Sequence, residues 1–275
     1  MSNATTNPPV RTADIALLIP VFKDQAGLER TLQSLGGQGI AFDIVIVDDG
    51  SPTPITAPAE AAGQRVVLLP MPANGGITKA LNFGLAHIRA QGYPFTARLD
   101  AGDTLHPGRL LAQFEAFRDN PALQLCGCYV RYVNPDGTEV GIAKVPLESD
   151  EIRNAIHYRT AFFHPTVMFR TAVFDSVGVY NETFRQAQDY ELFMRIVKRF
   201  ETRNLPVAYV DYELADDAIS TRQARKQAKN IVRACLMNFR PLYWGSYFGV
   251  LRRLPNLVLE RRHTMKLKSL LRIVR

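Results

Sequence analysis

This sequence predicts an α/β fold with a mostly parallel sheet flanked by helices, and three observations carry that prediction. Apolar runs of strand length recur at 15–22 (IALLIPVF), 43–47 (DIVIV), 65–69 (RVVLL) and 95–99 (FTARL). Segments with apolar residues at helical spacing lie between them, as the crossovers of a parallel sheet require. Acids stand at the ends of two of the runs: Asp48 and Asp49 after the second, Asp100 and Asp103 after the fourth. An open α/β sheet holds its ligand outside the carboxyl ends of its strands, so these acids mark a candidate site.

Each element has its own signal. The run at 15–22 is apolar throughout, the pattern of a strand buried on both faces. Leu28, Leu32 and Leu35 then share one helical face, and Gly36-Gly37 stops that helix. Strand 43–47 leads into Asp48-Asp49-Gly50-Ser51, and Pro52, Pro54 and Pro58 predict an irregular loop. After strand 65–69, Asn74-Gly75-Gly76 opens a helix with Ile77, Ala80, Leu81, Leu85 and Ile88 at core positions. Strand 95–99 delivers Asp100. The alternation then lapses. Residues 123–133 (LQLCGCYVRYV) read as a longer strand closed by the turn Asn134-Pro135-Asp136-Gly137, and 166–170 as a short one. Asp189 begins a helix with Leu192, Ile196 and Val197 at core spacing. Residues 222–238 read as another, with Ala224, Ala228, Ile231, Val232 and Cys235 on one side.

Composition narrows the class. The chain has 275 residues, 47% hydrophobic and 21% charged, values that suit one large globular domain, or one domain with an appendage. The N-terminus is polar, without the apolar stretch of a signal peptide, and no uncharged run reaches the roughly 18 residues of a membrane span. Cys126, Cys128 and Cys235 lack disulfide or zinc spacing and read as small buried thiols in a reducing compartment. A cytoplasmic protein is expected. From Arg252 onward eight basic residues face only Glu260, which accounts for the whole formal charge of +7. A nucleic-acid binder would carry such charge on its core domain, so no nucleic-acid partner is expected.

The motifs occur in the order IPVF, VDDGS, NGGITKALNFGLA, RLDAGD, HPTVMFR and VGVYNETFRQAQDYELFMR. Together they resemble the family 2 glycosyltransferases of the GT-A fold, inverting enzymes that build bacterial surface polysaccharides, over about residues 13–222. The organisation that follows is a disordered N-terminal segment at 1–12, a catalytic domain at 13–215 and a helical, basic extension at 216–275.

The resemblance implies roles for individual residues. Pro20, Phe22 and the Asp48-Asp49 loop would hold the nucleotide base, with Asp49 accepting the imide N–H of uracil or thymine. The implied donor is therefore a UDP- or dTDP-sugar. Backbone N–H groups of Asn74, Gly75 and Gly76 would face the diphosphate, with Lys79 and Arg98 as nearby cations. Asp100 and Asp103 stand where the family carries a D-x-D-D motif for Mn2+ or Mg2+. Asp103 is the expected direct ligand, and Asp100 acts as a ligand or through the sugar or ribose. Gly102 occupies one of the family's acid positions. Asp189 matches the catalytic base that takes the acceptor hydroxyl proton. Gln188 stands where the family often has Glu, and it joins His164, Tyr180 and Phe184 on the acceptor side. Many relatives have a histidine after the last strand, where this chain has Asp216 and Asp217.

The tail supplies a partner reading. Phe239, Tyr243, Trp244, Tyr247 and Phe248 precede the basic, leucine-bearing stretch 252–275. Aromatic and leucine surface beside arginine and lysine suits the inner face of the cytoplasmic membrane, where a glycan or lipid-linked saccharide would be the acceptor. The competing reading packs this segment on the catalytic domain or on a second copy in a homodimer. Three other functions compete, and one of them, a nicotinamide oxidoreductase, would need G-x-G-x-x-G after the first strand, where this chain has none. A sugar-phosphate nucleotidyltransferase would carry a glycine-rich loop where this chain has PVFKDQAGLER. A degenerate scaffold subunit draws support from Gly102 and Gln188 and is opposed by the retention of Asp49, Asp103 and Asp189.

Overall fold

The computed structural model describes residues 12–214 and 224–254. Strand β1 (Ile15–Val21) is buried along its whole length, as its two apolar faces demand. It pairs in parallel with β2 (Asp43–Asp48) on one side and β5 (Phe95–Arg98) on the other. Outside β2 lies β4 (Gln64–Pro70), also parallel, with the two-residue β3 (Glu60–Ala61) antiparallel at that edge. Beyond β5, the short β9 (Met168–Arg170) runs antiparallel between β5 and β7 (Leu123–Val133). β10 (Glu201–Glu213) runs parallel to β7, while β6 (Thr104–Leu105) and β8 (Glu139–Ala143) are antiparallel additions. Among the described residues these ten strands form one sheet, ordered β3-β4-β2-β1-β5-β9-β7-β10-β6 with β8 beside β7.

Strand alternation divides the core in two. Ile15, Leu17 and Ile19 point to one face, where they meet Leu28 and Leu32 of α1 (Gln25–Gln33) and Leu110 and Phe117 of α3 (Arg109–Asp119). Ala16 and Leu18 point to the other, where they join Leu81 and Leu85 of α2 (Ile77–Ala90) and Leu192 and Ile196 of α6 (Gln188–Val197). Gly84 lets α2 approach closely, since a Cβ there would lie 2.4 Å from Leu18 Cδ1 and 2.8 Å from Val47 Cγ2. The short α4 (Ser149–Ala155) and α5 (Val173–Val177) complete the body.

Connectivity locates the crevice. β1 leads through α1 to β2 on one side, and β5 leads through α3 to β7 on the other. The loops after β1 and β5 therefore part in opposite directions, which is the topological switch point where such sheets bind ligands.

The described part of the extension packs on this body, as the competing reading of the tail had it. In α7 (Ala224–Met237), Ala228, Val232, Ala234 and Cys235 are buried, and Cys235 Sγ lies 3.3 Å from Tyr190 Oη of α6. α8 (Trp244–Leu251) follows, with Phe239 and Tyr247 in edge contact at 4.8 Å. Residues 1–11, the stretch 215–223 with Asp216 and Asp217, and the basic residues beyond Leu254 lie outside the described residues. All three cysteines are free and buried, and burial pushes the Cys126 thiol up to about 12. Among the described residues no helix is long and apolar enough to cross a membrane.

Candidate active site

The turn after β5 is the centre of the crevice. Asp103 N donates to Asp100 O at 3.2 Å, and Gly102 takes φ +98° to close the turn. Thr31 of α1 pins it: its Oγ1 donates to Asp103 O at 2.8 Å and accepts from Gly102 N at 2.9 Å. Helix α1 and the loop after β5 are thus one unit. Asp100 is paired with the fully buried Arg98, whose guanidinium also donates to Leu99 O. Beneath them, Arg109 donates to Arg98 O at 2.9 Å from full burial.

Asp103 is in a different position. It is 7% exposed, and its Oδ2 has no hydrogen-bond partner. Burial, reinforced by the neighbouring Asp100 charge, pushes its carboxyl well above the usual range. A buried carboxylate oxygen without a donor is costly unless a proton or a cation meets it.

Asp189 arrives at the same place from the far half of the chain. It lies in the first turn of α6, after Ala187 at φ +60°. Burial pushes its carboxyl up against the pull of the backbone N–H groups of Tyr190 and Asp189. The Asp100 charge raises it further, and Arg98 opposes. Asp189 is therefore within electrostatic reach of the β5 turn. Two residues on, Glu191 accepts from Arg195 one turn further along at 2.9 and 2.8 Å, and Arg195 donates to Val179 O at 2.8 Å, fixing the loop that precedes α6. Gln188 is buried beside Asp189.

His164 Nε2 and Tyr180 Oη are 2.9 Å apart. Burial first, and then Arg98, hold His164 well below its ordinary value. Tyr180 and Phe184 were expected to line an acceptor cleft. Both are buried instead, because Tyr180 is tied to His164 and Phe184 lies under the Arg233 guanidinium at 4.6 Å.

The structure adds Tyr212, which the sequence did not single out. Burial and then Asp100, Asp103, Tyr132 and Asp189 raise its phenol to about 12, so it lies within electrostatic reach of the three acids. It comes there because β10 pairs Tyr212 with Tyr132 of β7, the rings 5.8 Å apart. The aromatic run VAYVDY after Pro206 was the available signal.

The acids after β2 behave differently from expectation. Asp48 accepts from Ser51 N at 2.9 Å and Ile55 N at 3.1 Å, so it shapes its own loop. Asp49 is 4% exposed and accepts from Asn74 Nδ2 at 2.9 Å, Gly75 N at 2.7 Å and Gly76 N at 2.9 Å. The loop amides assigned to a diphosphate and the carboxylate assigned to a base edge thus satisfy each other, as buried polar groups must. Gly50 makes this possible, since a Cβ there would lie 2.3 Å from the Ala73 carbonyl carbon. Pro20 is buried opposite Val47, whereas Phe22 is exposed with Lys23 Nζ 5.0 Å from its ring centre. Lys79 is exposed on the first turn of α2, its stem against Gly75.

A divalent cation fits the acids at the β5 turn. Asp103 offers an unpartnered buried oxygen beside a second carboxylate, the hard-oxygen set that Mg2+ and Mn2+ prefer. No cluster of three or more metal-ligating side chains occurs among the described residues. An ion there would need further oxygens from water or substrate, which is the habit of Mg2+ at phosphate sites.

The chain is similar to known proteins in sequence and in fold. A family model described as Glycosyl transferase family 2 matches residues 16–178. Among curated proteins the chain is similar to the amylovoran biosynthesis glycosyltransferase AmsE of Erwinia amylovora. The two are 28% identical over 214 residues, 75% of this chain and 77% of that one. It is also similar to the O-antigen biosynthesis glycosyltransferase WbnJ of Escherichia coli, 29% identical over 45% of this chain and 46% of that one. Among solved structures, S. aureus TarS 1–349 in complex with UDP-GlcNAc superposes with a TM-score of 0.65 at 17% identity, over 92% of this chain and 75% of that one. The match covers 45% of a longer TarS structure. The mannosyltransferase PcManGT from Pyrobaculum calidifontis, in complex with GDP-Man and Mn2+, gives 0.64 at 13% identity, over 96% of this chain and 77% of that one. The sheet is that of the GT-A fold, and the chain belongs to glycosyl transferase family 2.

Proposed function

We propose that this protein is a cation-assisted, inverting glycosyltransferase. It moves a sugar from a UDP- or dTDP-sugar to a hydroxyl of a glycan or lipid-linked saccharide in cell-surface polysaccharide synthesis. The reading rests on Asp103 at the end of β5, with one buried oxygen unpartnered beside Asp100, and on Asp189 within electrostatic reach of that turn. The names of the similar proteins from Erwinia amylovora and Escherichia coli support the polysaccharide setting. A UDP-sugar in one structural neighbour supports the donor class.

Asp103, with Asp100, would hold Mn2+ or Mg2+, which when bound supplies charge to neutralise a diphosphate leaving group. Arg98 fixes Asp100 from below and adds positive charge to the same crevice. Phe22 offers an exposed ring to a base, and Lys79 an exposed cation to a phosphate. Asp189 in its ionised form takes the proton from the acceptor hydroxyl. The freed oxygen bonds to the anomeric carbon on the face opposite the diphosphate. The carbon–oxygen bond to the diphosphate breaks, the electron pair leaves with the diphosphate, and the anomeric configuration inverts. No covalent enzyme intermediate is required. Residues 239–275 would keep the enzyme at the inner face of the cytoplasmic membrane, where a lipid-linked acceptor lies.

Calorimetric titration with UDP, dTDP, GDP and CDP, each with and without Mn2+, tests the donor site. One uracil or thymine diphosphate should bind in the micromolar range and more tightly with the metal. Asp189→Asn should bind it equally and lose about 10²–10⁴-fold in turnover. A folded sample that binds none of the four would overturn the reading and favour the scaffold alternative.

A further inference from the structure

α8 is built inside out. Its protein-facing residues are Gly245, Ser246 and Gly249, all buried. Its outward residues are Trp244, Tyr247, Phe248 and Leu251, between 40% and 66% exposed. Positions 244, 247, 248 and 251 share one helical face, so the large apolar stripe looks at solvent and the small residues look at the core. The inversion is enforced by packing. A Cβ at Gly249 would lie 2.0 Å from His157 O, so only glycine lets the helix sit this close. Arg252 donates to Tyr158 O at 2.9 Å and Arg253 to His157 O at 2.9 Å, which fastens the end of the helix. The face is presented by a docked element.

Its surroundings say what it meets. Leu242, just before the helix, is wholly exposed, as are large parts of Leu236 and Met237. On α7 the outward positions ahead of those two are Lys226, Lys229 and Arg233. Beside the hairpin a groove of about 600 Å³ opens toward α4 and α6, with Arg153, Lys198 and Arg240 among its lining residues and no acid. The chain continues from Leu254 with Arg261, Arg262, Lys266, Lys268, Arg272 and Arg275 against the single acid Glu260. A second copy meeting this face would bring two such basic surfaces together. Anionic lipid offers instead an apolar phase for the stripe, a boundary layer for tryptophan and tyrosine, and phosphates for the cations.

We propose that the Trp244–Tyr247–Phe248–Leu251 face of α8 lies in the headgroup boundary of an anionic bilayer, with the adjoining lysines and arginines on lipid phosphates. This deepens the membrane placement proposed above by naming one face of one helix, and it stands apart from the donor site in position and in test. Trp244 is the chain's single tryptophan, so its emission reports the face directly.

The full chain is mixed with vesicles of phosphatidylcholine, alone or with phosphatidylglycerol. The expected result is a blue shift and quenching by brominated acyl chains with the anionic vesicles. Leu251→Glu should weaken vesicle binding by about tenfold or more while nucleotide titration is unchanged. Binding to anionic vesicles with Trp244 emission unmoved would overturn the proposal and leave only tail electrostatics. A blue shift that grows with protein concentration in the absence of lipid would overturn it in favour of a second copy, and no association with any vesicle would also end it. Lipid insertion without nucleotide binding would sink the donor-site reading and leave this one standing.

Discussion

Gly102 sits at φ +98°, a backbone angle that L side chains rarely adopt, between the two acids of the β5 turn. The family's usual acid at that position is therefore closed to this chain as folded. Gly102→Asp should cost about 1–2 kcal/mol in chemical denaturation and should not tighten Mn2+ binding. Asp189 carries a second expectation. Burial raises its carboxyl above the ordinary 3.8, and only the ionised form can accept a proton. The acid limb of kcat/KM should thus lie above that value, rise with pH to a plateau, and vanish in Asp189→Asn. The acids themselves were legible in the sequence because each ends a strand or begins a helix within a motif. What satisfies them was not. Asp49 looks equally available in sequence whether its oxygens face a ligand or the amides of Gly75 and Gly76. Tyr212 has no motif and reaches the site only through strand pairing.

At the level of elements, the long apolar runs were readable because burial on both faces leaves no alternation to misjudge. β10 was harder. It contains Pro206 and charged residues, and its register against β7 shifts between Leu205 and Val210, so no period survives in the sequence. β3 lies just past the proline-rich loop and is two residues long, too short for any pattern. α8 shows a different limit. Its aromatic residues were visible as a cluster, but a cluster in sequence does not say which side of a helix faces inward. Close packing supplies a test on α2. Gly84→Ala puts a methyl group against Leu18 and Val47 and should cost about 1–3 kcal/mol in thermal or denaturant unfolding. Gly36→Ala, with nothing within 4 Å of its Cβ, should leave the midpoint nearly unchanged.

Across the whole molecule, the two ends of the sheet do different work. The carboxyl ends hold the acids of the site. At the opposite end, Asp43 gathers Thr12, Arg65 and Tyr93, the last through a 2.5 Å hydrogen bond, and joins the start of the described chain to β2, β4 and the approach to β5. Burial pushes Asp43 up, but Arg65, Thr12 and Tyr93 outweigh it and hold the carboxyl below its ordinary 3.8. Its contribution to stability is therefore full above that value and is lost as pH falls through the lowered one. Asp43→Asn should cost about 3–5 kcal/mol near neutral pH, and the gap from wild type should close in strong acid when melting is followed against pH. The Asp49 clamp has the last consequence. It fastens the loop after β2 to the start of α2, so one wall of the crevice is assembled during folding. In the proposed donor site a nucleotide would meet groups already in place, and the entropy of ordering them would belong to the folding reaction and not to the encounter.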